Sequence, residues 1–532
     1  MIGKFWKNGE LYVWTTAAAV AVTFSILLLL IFVILRNGLG HFWPTELVHV
    51  EMKDGKRWLG EITGRDRAPD GGWRIQLKVG NRDLYGQDFL WVLERDITTK
   101  TTPAEAVMME RVASGNFYGH LKHLALPGLG QPDAPADWGI FKSSIEKVQD
   151  EHDDLENRRD ELADLSYELE GLREEIQSLN YDDTPEALKE AAQIQVVMDK
   201  LKVKFQERNG ELLKKTNAIR TNSAAFVDAA GTEKNIALID IVRTYQPNTM
   251  GGLAKTGVYL SKFWELLSGE PREANTEGGL FPAIFGTVLM VMIMSFFSIP
   301  MGVVAAIYLR EYAKDGWMVR MVRIAVYNLA GVPSIVYGVF GMGFFVYGVG
   351  GSIDQFFFAD RLPTPTFGTG GILWASLTLS LLTVPVVIVA TEESFASVPK
   401  GIREGSLSLG ATQFQTLVRV LLPMATPGIM TGFILAMARA AGEVAPLMIT
   451  GVVKLAPAMP LDAQFPFLHL DRKFMHLGFH IFDVGFQSPN VEAAKPMVYI
   501  TTMLLIMIVL VMSLAAIYLR NRMRKRFQTA TF

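Results

Sequence analysis

Long stretches without a charged side chain constrain this sequence more than any other feature. Leu11 to Leu35 runs 25 residues uncharged. A helix needs about 20 mainly apolar residues to cross the hydrocarbon core of a bilayer. Leu280–Leu309, Ile324–Ile353, Leu362–Thr391 and Pro496–Leu519 are also uncharged, and Pro423 to about Val453 carries only Arg439 and Glu443. The first residues of the 362–391 stretch, LPTPTFGTGG, can only be loop. Six membrane-spanning helices are therefore predicted: an anchor at 11–36 and five more at about 280–309, 324–350, 371–391, 424–451 and 497–519. Mean hydropathy of +0.23 over 532 residues agrees. After Arg36 the chain reads NGLGHFWP. It lacks the small-residue cleavage pattern of a signal peptide, so the first helix is expected to stay as an anchor. A net charge of −3 gives no reason to expect a nucleic-acid partner. With no cysteine, disulfides, thiol catalysis and thiolate metal sites are excluded.

Residues 37–258 have a different character. Glu46–Met52, Lys56–Thr63, Gly72–Val79 and Phe89–Leu93 are short and rich in Val, Ile, Trp and Leu. Asp54-Gly55, Asp70-Gly71-Gly72 and Gly80-Asn81 between them are hairpin signals. A small antiparallel β domain is predicted over about 40–136 and 224–246, with Pro127–Pro135 as a linker and Ile236–Thr244 as a returning strand. Phe141, Val148, Leu155, Leu162, Leu169 and Ile176 recur every seven residues, with Leu165, Leu172 and Leu179 between them. That heptad pattern predicts a coiled-coil helix. Thr184-Pro185 is a helix start, and Ile194, Met198, Leu201, Phe205 and Leu212 form the seam of a second helix. An antiparallel hairpin at about 141–220 follows, either a partner-docking stalk or a solvated spacer. Tyr259–Leu267 reads as an amphipathic helix suited to a membrane surface.

Orientation follows from the basic residues of the short loops. Arg520, Arg522, Arg524, Lys525 and Arg526 follow the last span, so the 520–532 tail is expected in the cytoplasm. Counting back puts Arg310–Arg323, Lys400–Arg419 and residues 1–10, with Lys4 and Lys7, on the same side. The 37–258 insertion then lies outside, in the periplasm of a bacterium.

Between two apolar runs sits a polar island, EGSLSLGATQFQTLVRVLLP, from Glu404 to Pro423. Glu404–Leu409 can form a short helix that Gly410 ends in a left-handed turn. Ala411–Leu422 can form a second, with Phe414, Leu417, Leu421 and Leu422 on one side. Such a knob transmits force rigidly. Farther on, MARAAGEVAPL puts Arg439 and Glu443 four residues apart on one helical face, near mid-membrane. A charge there costs at least ~2.5 kcal/mol. It must face a partner, a cavity or a substrate, or form an ion pair that locks the bundle. Arg suits an oxyanion, because its planar fork binds in bidentate fashion and stays charged.

The island resembles the EAA loop of ABC-importer permeases, the element that docks into the ATPase subunit. Glu404, Gly410, Leu422 and Pro423 match the family pattern with all spacings kept. Gly405 and Ser406 replace its two alanines, and Val420 its Ile. From about Tyr259 to the C-terminus the chain is similar to the A-type permease subunit of bacterial phosphate importers, the Pst family. The matching stretches are GGLFPAIFGTVLMV, PMGVVAAIYLREYA, AVYNLAGVPSIVYG and the long segment from VPKGIREGSLSLG through MARAAGEVAPLM. The resemblance implies a polytopic α-helical permease of six spans with an inserted domain of β structure and coiled-coil hairpin. It implies passage of phosphate at Arg439, with Glu443 beside it, and no enzymatic activity or cofactor of the chain's own. The implied partners are a homologous permease, a dimer of ATP-binding subunits and a periplasmic phosphate-binding protein, in a bacterial inner membrane. In keeping with that, no GxxxxGK[ST] occurs: the Gly-Lys pairs at Lys4 and Lys56 are followed by Phe and Arg. The same chemistry would serve sulfate or molybdate. In a contrasting reading the insertion is the active part of a membrane-anchored sensor or scaffold. Gly428 and Gly432 form a GxxxG that permits close helix approach. Pro300, Pro333 and Pro385 lie inside predicted spans. His469, His476 and His480 with Asp471 and Asp483 fit no standard metal pattern, and Phe474, Leu477, Phe479 and Phe482 among them suit an interfacial amphipathic helix.

Overall fold

Each long charge-free stretch contributes to a helix long enough to cross a bilayer. The computed structural model describes residues 10–69, 71–182, 184–314, 316–488 and 490–528. Lys4, Lys7, Asp70 and the last four residues of the basic tail lie outside the described residues. The chain divides into two compact units. One holds residues 1–41, 280–357 and 365–532; the other holds 42–279 and 358–364.

The first apolar helix, α1 (Tyr12–Gly40), belongs to the helical unit. The chain then enters the second unit, which contains two large antiparallel sheets and a two-stranded one at 271–278. In the first sheet β1 (Leu47–Met52), β2 (Arg57–Arg67), β3 (Trp73–Lys78), β4 (Phe89–Leu93) and β5 (Ile97–Thr101) run in the order β4-β3-β2-β1-β5. Alternation supplies its core: Val48, Val50, Ile75, Leu77, Val79 and Val92 are all buried. At the β1–β2 turn Gly55 takes φ +84°, and Lys56 N–H donates to the Asp54 side chain at 3.1 Å. The second sheet contains β6 (Val107–Arg111), β7 (Phe117–Leu126), β8 (Gln131–Ala134), β9 (Ser223–Val227), β10 (Glu233–Ala237) and β11 (Ile241–Tyr245). Its order is β10-β9-β7-β6-β11, with β8 beside β7. Asn81 joins the sheets: its side chain accepts from Tyr118 N–H at 2.8 Å and donates to Tyr118 C=O at 3.0 Å.

Two segments differ from the sequence reading. Pro127–Pro135 is not all linker, because Gln131–Ala134 pairs with β7. Pro132 is tolerated there since β8 has a neighbour on one side only. Ile236–Thr244 is not one strand. A turn at Leu238–Asp240 splits it, and the two halves occupy opposite edges of the sheet.

Between β8 and β9 the chain leaves as α2 (Trp138–Asp182) and returns as α3 (Pro185–Arg220). Thr184 caps α3, accepting from Ala187 N–H at 3.2 Å. The hairpin grows out of the second sheet's core, where Phe141 meets Phe226 at 5.5 Å between ring centres. Val148, Leu155, Leu162 and Leu165 pack with Leu201, Phe205, Leu212 and Ile219. Each Leu so buried contributes about 1.5–3 kcal/mol. Leu169, Leu172, Ile176 and Leu179 are only half-buried, so the seam loosens toward the tip. Arg361 of the 358–364 segment pairs with Glu174 of α2 at 2.7 Å.

A last helix of this unit, α4 (Gly252–Ser268), starts seven residues earlier than the sequence reading had it. Charges hold it to the second sheet. Glu110 on β6 receives Lys262, and Arg243 at 2.9 Å. Arg243 on β11 also reaches Glu265 at 2.9 Å, and Arg272 pairs with the same carboxylate. Burial pushes the Glu110 carboxyl up, but Lys262 and Arg243 together outweigh it and hold it at about 2. Because that lies below the ordinary 4.5, an unfolded chain takes up the proton first as pH falls. The stabilisation is complete above about pH 4.5 and is lost as pH drops toward 2. Melting curves of the whole chain should show this decline. In Glu110→Gln, stability at neutral pH is expected to fall by about 1–3 kcal/mol, as Lys262 loses its counter-charge. The decline between pH 4.5 and 2 should become shallower.

Five further helices of the other unit are long and apolar enough to span: α5 (Phe281–Tyr312), α7 (Ser334–Phe357), α8 (Ile372–Ala396), α10 (Gln413–Gly442) and α13 (Val491–Lys525). Shorter ones lie between them: α6 (Trp317–Leu329), α9 (Lys400–Ser408), α11 (Ala445–Thr450) and α12 (Leu477–Phe482). The centre is α8, buried over 67% of its most apolar stretch against 33% for α5 and α10. It packs on both. Three boundaries move. The span expected at 324–350 begins at Ser334, because Pro333 cannot continue the helix of Trp317–Leu329. The one expected at 424–451 starts at Gln413 and stops at Gly442. The segment read as an interfacial helix, Phe474–Phe482, is buried instead. Leu477 N–H donates to Thr287 of α5 at 2.9 Å, and Phe474, Leu477 and His480 are all at most 2% exposed. The bare α-carbon of Gly286 admits the segment's backbone, since a Cβ there would meet Met475 C=O at 2.1 Å.

Candidate functional site

Arg439 sits in the last turn of α10, which ends at Gly442. Glu443 is already extended, at φ −78° and ψ 138°. Helix resumes at Ala445 with α11. The run read as one helical face is therefore a broken helix, with the Arg on one side of the break and the Glu in it. A cation in a last turn opposes the partial negative charge of the terminal carbonyls. The Arg439 Nε stands 3.6 Å from Glu443 Oε1, an electrostatic pair just beyond hydrogen-bond range. Among the described residues, no group accepts a hydrogen bond from the Arg439 guanidinium. Its side chain is 35% exposed and that of Glu443 21%.

Packing fixes where the break lies. Tyr337 on α7 is buried with Met437, Ala440, Ala441 and Leu447, and its hydroxyl donates to Leu329 C=O at 2.7 Å. Pro446 of α11 lies against Gly338, where a Cβ would come within 2.7 Å of the proline Cα. Arg439 thus projects from a rigid frame with its donors unengaged. Several other charges of this unit are engaged. Lys454 meets Asp483 at 3.0 Å, Arg323 donates to Leu309 C=O at 2.9 Å, and Arg403 reaches Glu311 at 2.5 Å.

The polar island forms a hinge-like pair of helices that is fastened to α5. Glu404 lies within α9, and Gly410 takes φ +86° beyond its end. Thr412 and Gln415 then form a reciprocal cap that starts α10. Leu422 and Pro423 lie inside α10, just past a π-helical turn at Leu417–Leu421, so the second short helix is the beginning of a span-length helix. Leu417 and Leu421 are buried with Phe395, Ala425 and Ile429, and Leu422 packs against them. Phe414, expected on that side, is 64% exposed instead. It joins Leu409, 91% exposed, and Leu407, 44% exposed, in an apolar tip.

Sequence reasoning missed what holds this tip. Glu311, at the end of α5, pairs with Arg403, while its backbone C=O accepts from the Gln413 side chain at 2.9 Å. Ser406 and Thr416 hydroxyls meet at 2.9 Å. Arg403 was visible in the sequence as one of several loop cations; its partner, 102 residues distant from Gln413, was not. Also missed was Asp354, 1% exposed, whose carboxylate accepts from Phe367 N–H at 2.8 Å and Gly368 N–H at 2.6 Å. The five His and Asp residues weighed as metal ligands are dispersed. His469 bonds Asp462 at 3.0 Å, His480 meets Thr501 at 3.2 Å, and Asp483 holds Lys454.

Residues 298–525 match the family described as binding-protein-dependent transport system inner membrane component. The probable ABC transporter permease proteins YqgH and YqgI of Bacillus subtilis are 34% and 31% identical over 208 and 256 residues. Those alignments cover 39% and 47% of this chain, and 63% and 80% of the relatives. The phosphate transport system permease protein PstA of Yersinia pestis is 32% identical over 236 residues, 44% of this chain and 70% of that protein. The insertion lies outside the residues that match the family. In its helical unit, then, the chain belongs to the inner membrane components of binding-protein-dependent transport systems, the permease subunits of ABC transporters.

Proposed function

We propose that this chain is a permease subunit through which an ATP-driven importer moves inorganic phosphate into the cell. The observation that carries the reading is the Arg439 guanidinium: charged, held at a break in a spanning helix, and without a hydrogen-bond acceptor among the described residues. Broken helices are where transporters build substrate sites, because the irregular backbone lines a cavity. Arg supplies bidentate donors for an oxyanion. Glu443 would repel a fully ionised anion but accept a hydrogen bond from a protonated one, which favours hydrogen phosphate over sulfate. Similarity to phosphate permeases of the PstA type supports the same cargo.

The rest of the reading follows. A homologous permease completes the pathway, and a periplasmic phosphate-binding protein delivers substrate. An ATPase dimer grips the apolar tip formed by Leu407, Leu409 and Phe414 around Glu404 and Gly410. Closure of that dimer pushes α9 and, through α10, reaches Arg439. Both termini face the cytoplasm of an inner-membrane protein. The insertion, with its coiled-coil hairpin, faces the periplasm.

Labelled-phosphate uptake tests this in cells lacking their own high-affinity importer, supplied with this chain and its neighbouring transporter genes. Uptake of phosphate, with sulfate unable to compete, is the expected result. Equal transport of both anions would sink the role given to Glu443. Transport of sulfate or molybdate alone would change the cargo. No anion movement by an assembly that contains the ATPase would shift attention to a sensor or scaffold role.

A further inference from the structure

The helix α4 turns charged side chains inward and leaves an apolar stripe exposed. Lys262 and Glu265 point inward, to Glu110, Arg243 and Arg272. Outward, at helical spacing, stand Leu253, Gly257, Leu260 and Trp264, with no charge among them. Leu253 is 93% exposed, Leu260 59% and Trp264 69%. A soluble helix turns its apolar stripe to the core and its charges to solvent. Here the inward face carries Val258, Tyr259 and Leu266 beside Lys262 and Glu265, yet the outward stripe is apolar as well, and a buried ion network locks the helix in that rotation.

Chain connectivity says what the stripe faces. Phe42 and Trp43 follow Gly40, the last residue of the apolar helix α1, by two and three positions. Phe42 packs edge-on against Tyr259 and Phe263 of α4, at 6.1 and 6.3 Å between ring centres. Trp43 meets Tyr259 at 6.2 Å and is itself 45% exposed. The helix is thus pinned within three residues of the end of the apolar helix α1. Exposed Trp beside the end of a span is the composition of a membrane interface.

We infer that α4 is an interfacial helix whose Leu253–Leu260–Trp264 stripe lies in the headgroup boundary of the lipid bilayer. The ion network around Glu110 then fixes the second sheet to the membrane surface rather than merely stabilising the fold. A helix of 17 residues, about 25 Å long, lying flat would give the second sheet an extended footing on the membrane surface.

The chain has no cysteine, so single labels are simple to place. Nitroxide at Leu253→Cys and at Leu260→Cys is measured in the full chain, reconstituted in vesicles of phosphatidylethanolamine and phosphatidylglycerol. Leu29→Cys in α1 sets the lipid end of the scale, and Lys202→Cys on α3 the aqueous end. Relaxation by oxygen, which concentrates in lipid, is compared with relaxation by a water-soluble nickel chelate. The expected oxygen-to-nickel ratio at both α4 positions is several-fold above that at Lys202 and toward that at Leu29. A ratio equal to that at Lys202 overturns the proposal. So does low access to both reagents, which would mean that a protein partner or a second copy covers the stripe. Two positions are used so that a disturbance of the helix by one label is recognised, and agreement between them is required.

Discussion

Arg439→Gln is expected to lower phosphate uptake by about 30- to 5,000-fold while membrane level and ATPase association stay normal. The size follows from losing one partner of a desolvated charge-assisted contact, about 2–5 kcal/mol. The selectivity of the effect follows from the structure. Arg439 makes no hydrogen bond within the described chain, and its pairing with Glu443 is long, at 3.6 Å. Removing it therefore leaves only Glu443 short of a partner, and that carboxylate is 21% exposed rather than sealed. A side chain that merely locked the bundle would behave otherwise. Its loss would lower the melting temperature of the membrane unit, and Glu443→Gln would do the same to a similar degree. Lysine gives a second discrimination. It keeps the charge and loses the planar fork, so Arg439→Lys should retain a fraction of uptake with weakened preference among oxyanions. Normal uptake by Arg439→Gln would remove Arg439 from the pathway.

The residues that mark this site were legible in the sequence because the membrane makes them conspicuous. Two charges in a run of some thirty apolar residues admit few explanations. Their geometry was not legible. Nothing in MARAAGEVAPL announces that helix stops at Gly442 and restarts at Ala445, since Gly442 is as common inside spans as at their ends. The polar island was likewise recognisable by spacing, but not its attachment. Glu311 binds Arg403 and Gln413 across about a hundred residues of sequence, and such pairings leave no local periodic trace. In the insertion the same split recurs. Heptads and Asp-Gly turns are local signals, and the hairpin and the first sheet follow them. The second sheet is assembled from segments 107–134 and 223–245, which the hairpin separates, so a single returning strand was read where two exist. Burial of Phe474–Phe482 was missed for a different reason. A run of aromatics at helical spacing looks the same whether it meets lipid or the helices α5 and α13. Only the small residue Gly286 on the facing helix, itself uninformative alone, decides it.

Close contact between α8 and α10 leads to the largest expected effect on stability. The spacing of Gly428 and Gly432 reads as a weak signal, because GxxxG arises often by chance. In the structure both glycines lie against α8. A Cβ at Gly428 would meet Ser394 Oγ at 2.1 Å, and one at Gly432 would meet Ala390 Cβ at 2.4 Å. The two cases differ in kind. Ser394 Oγ can rotate away, at the expense of its hydrogen bond to Ala390 C=O at 2.5 Å. The methyl of Ala390 cannot move without its backbone. Carbon atoms settle about 3.5–4.0 Å apart, so Gly432→Ala must separate the helices by roughly 1 Å. Helix propensity opposes this, since Ala is favoured over Gly by about 1 kcal/mol in a helix interior. Overpacking of about 1–3 kcal/mol should outweigh that gain. Gly432→Leu is expected to cost 3 kcal/mol or more, enough to deplete the folded protein. Gly343→Ala is the control, because a Cβ there meets nothing within 4 Å. Unfolding of the purified chain in mixed micelles of increasing dodecyl sulfate measures all three. Destabilisation at 432 beside neutrality at 343 would show that dispersion between closely apposed backbones holds the permease core together. In a bilayer no hydrophobic gain distinguishes helix–helix from helix–lipid contact. If Gly432→Ala were as stable as the parent, α8 and α10 would have to part freely, and a push on the polar island could not be carried rigidly to Arg439.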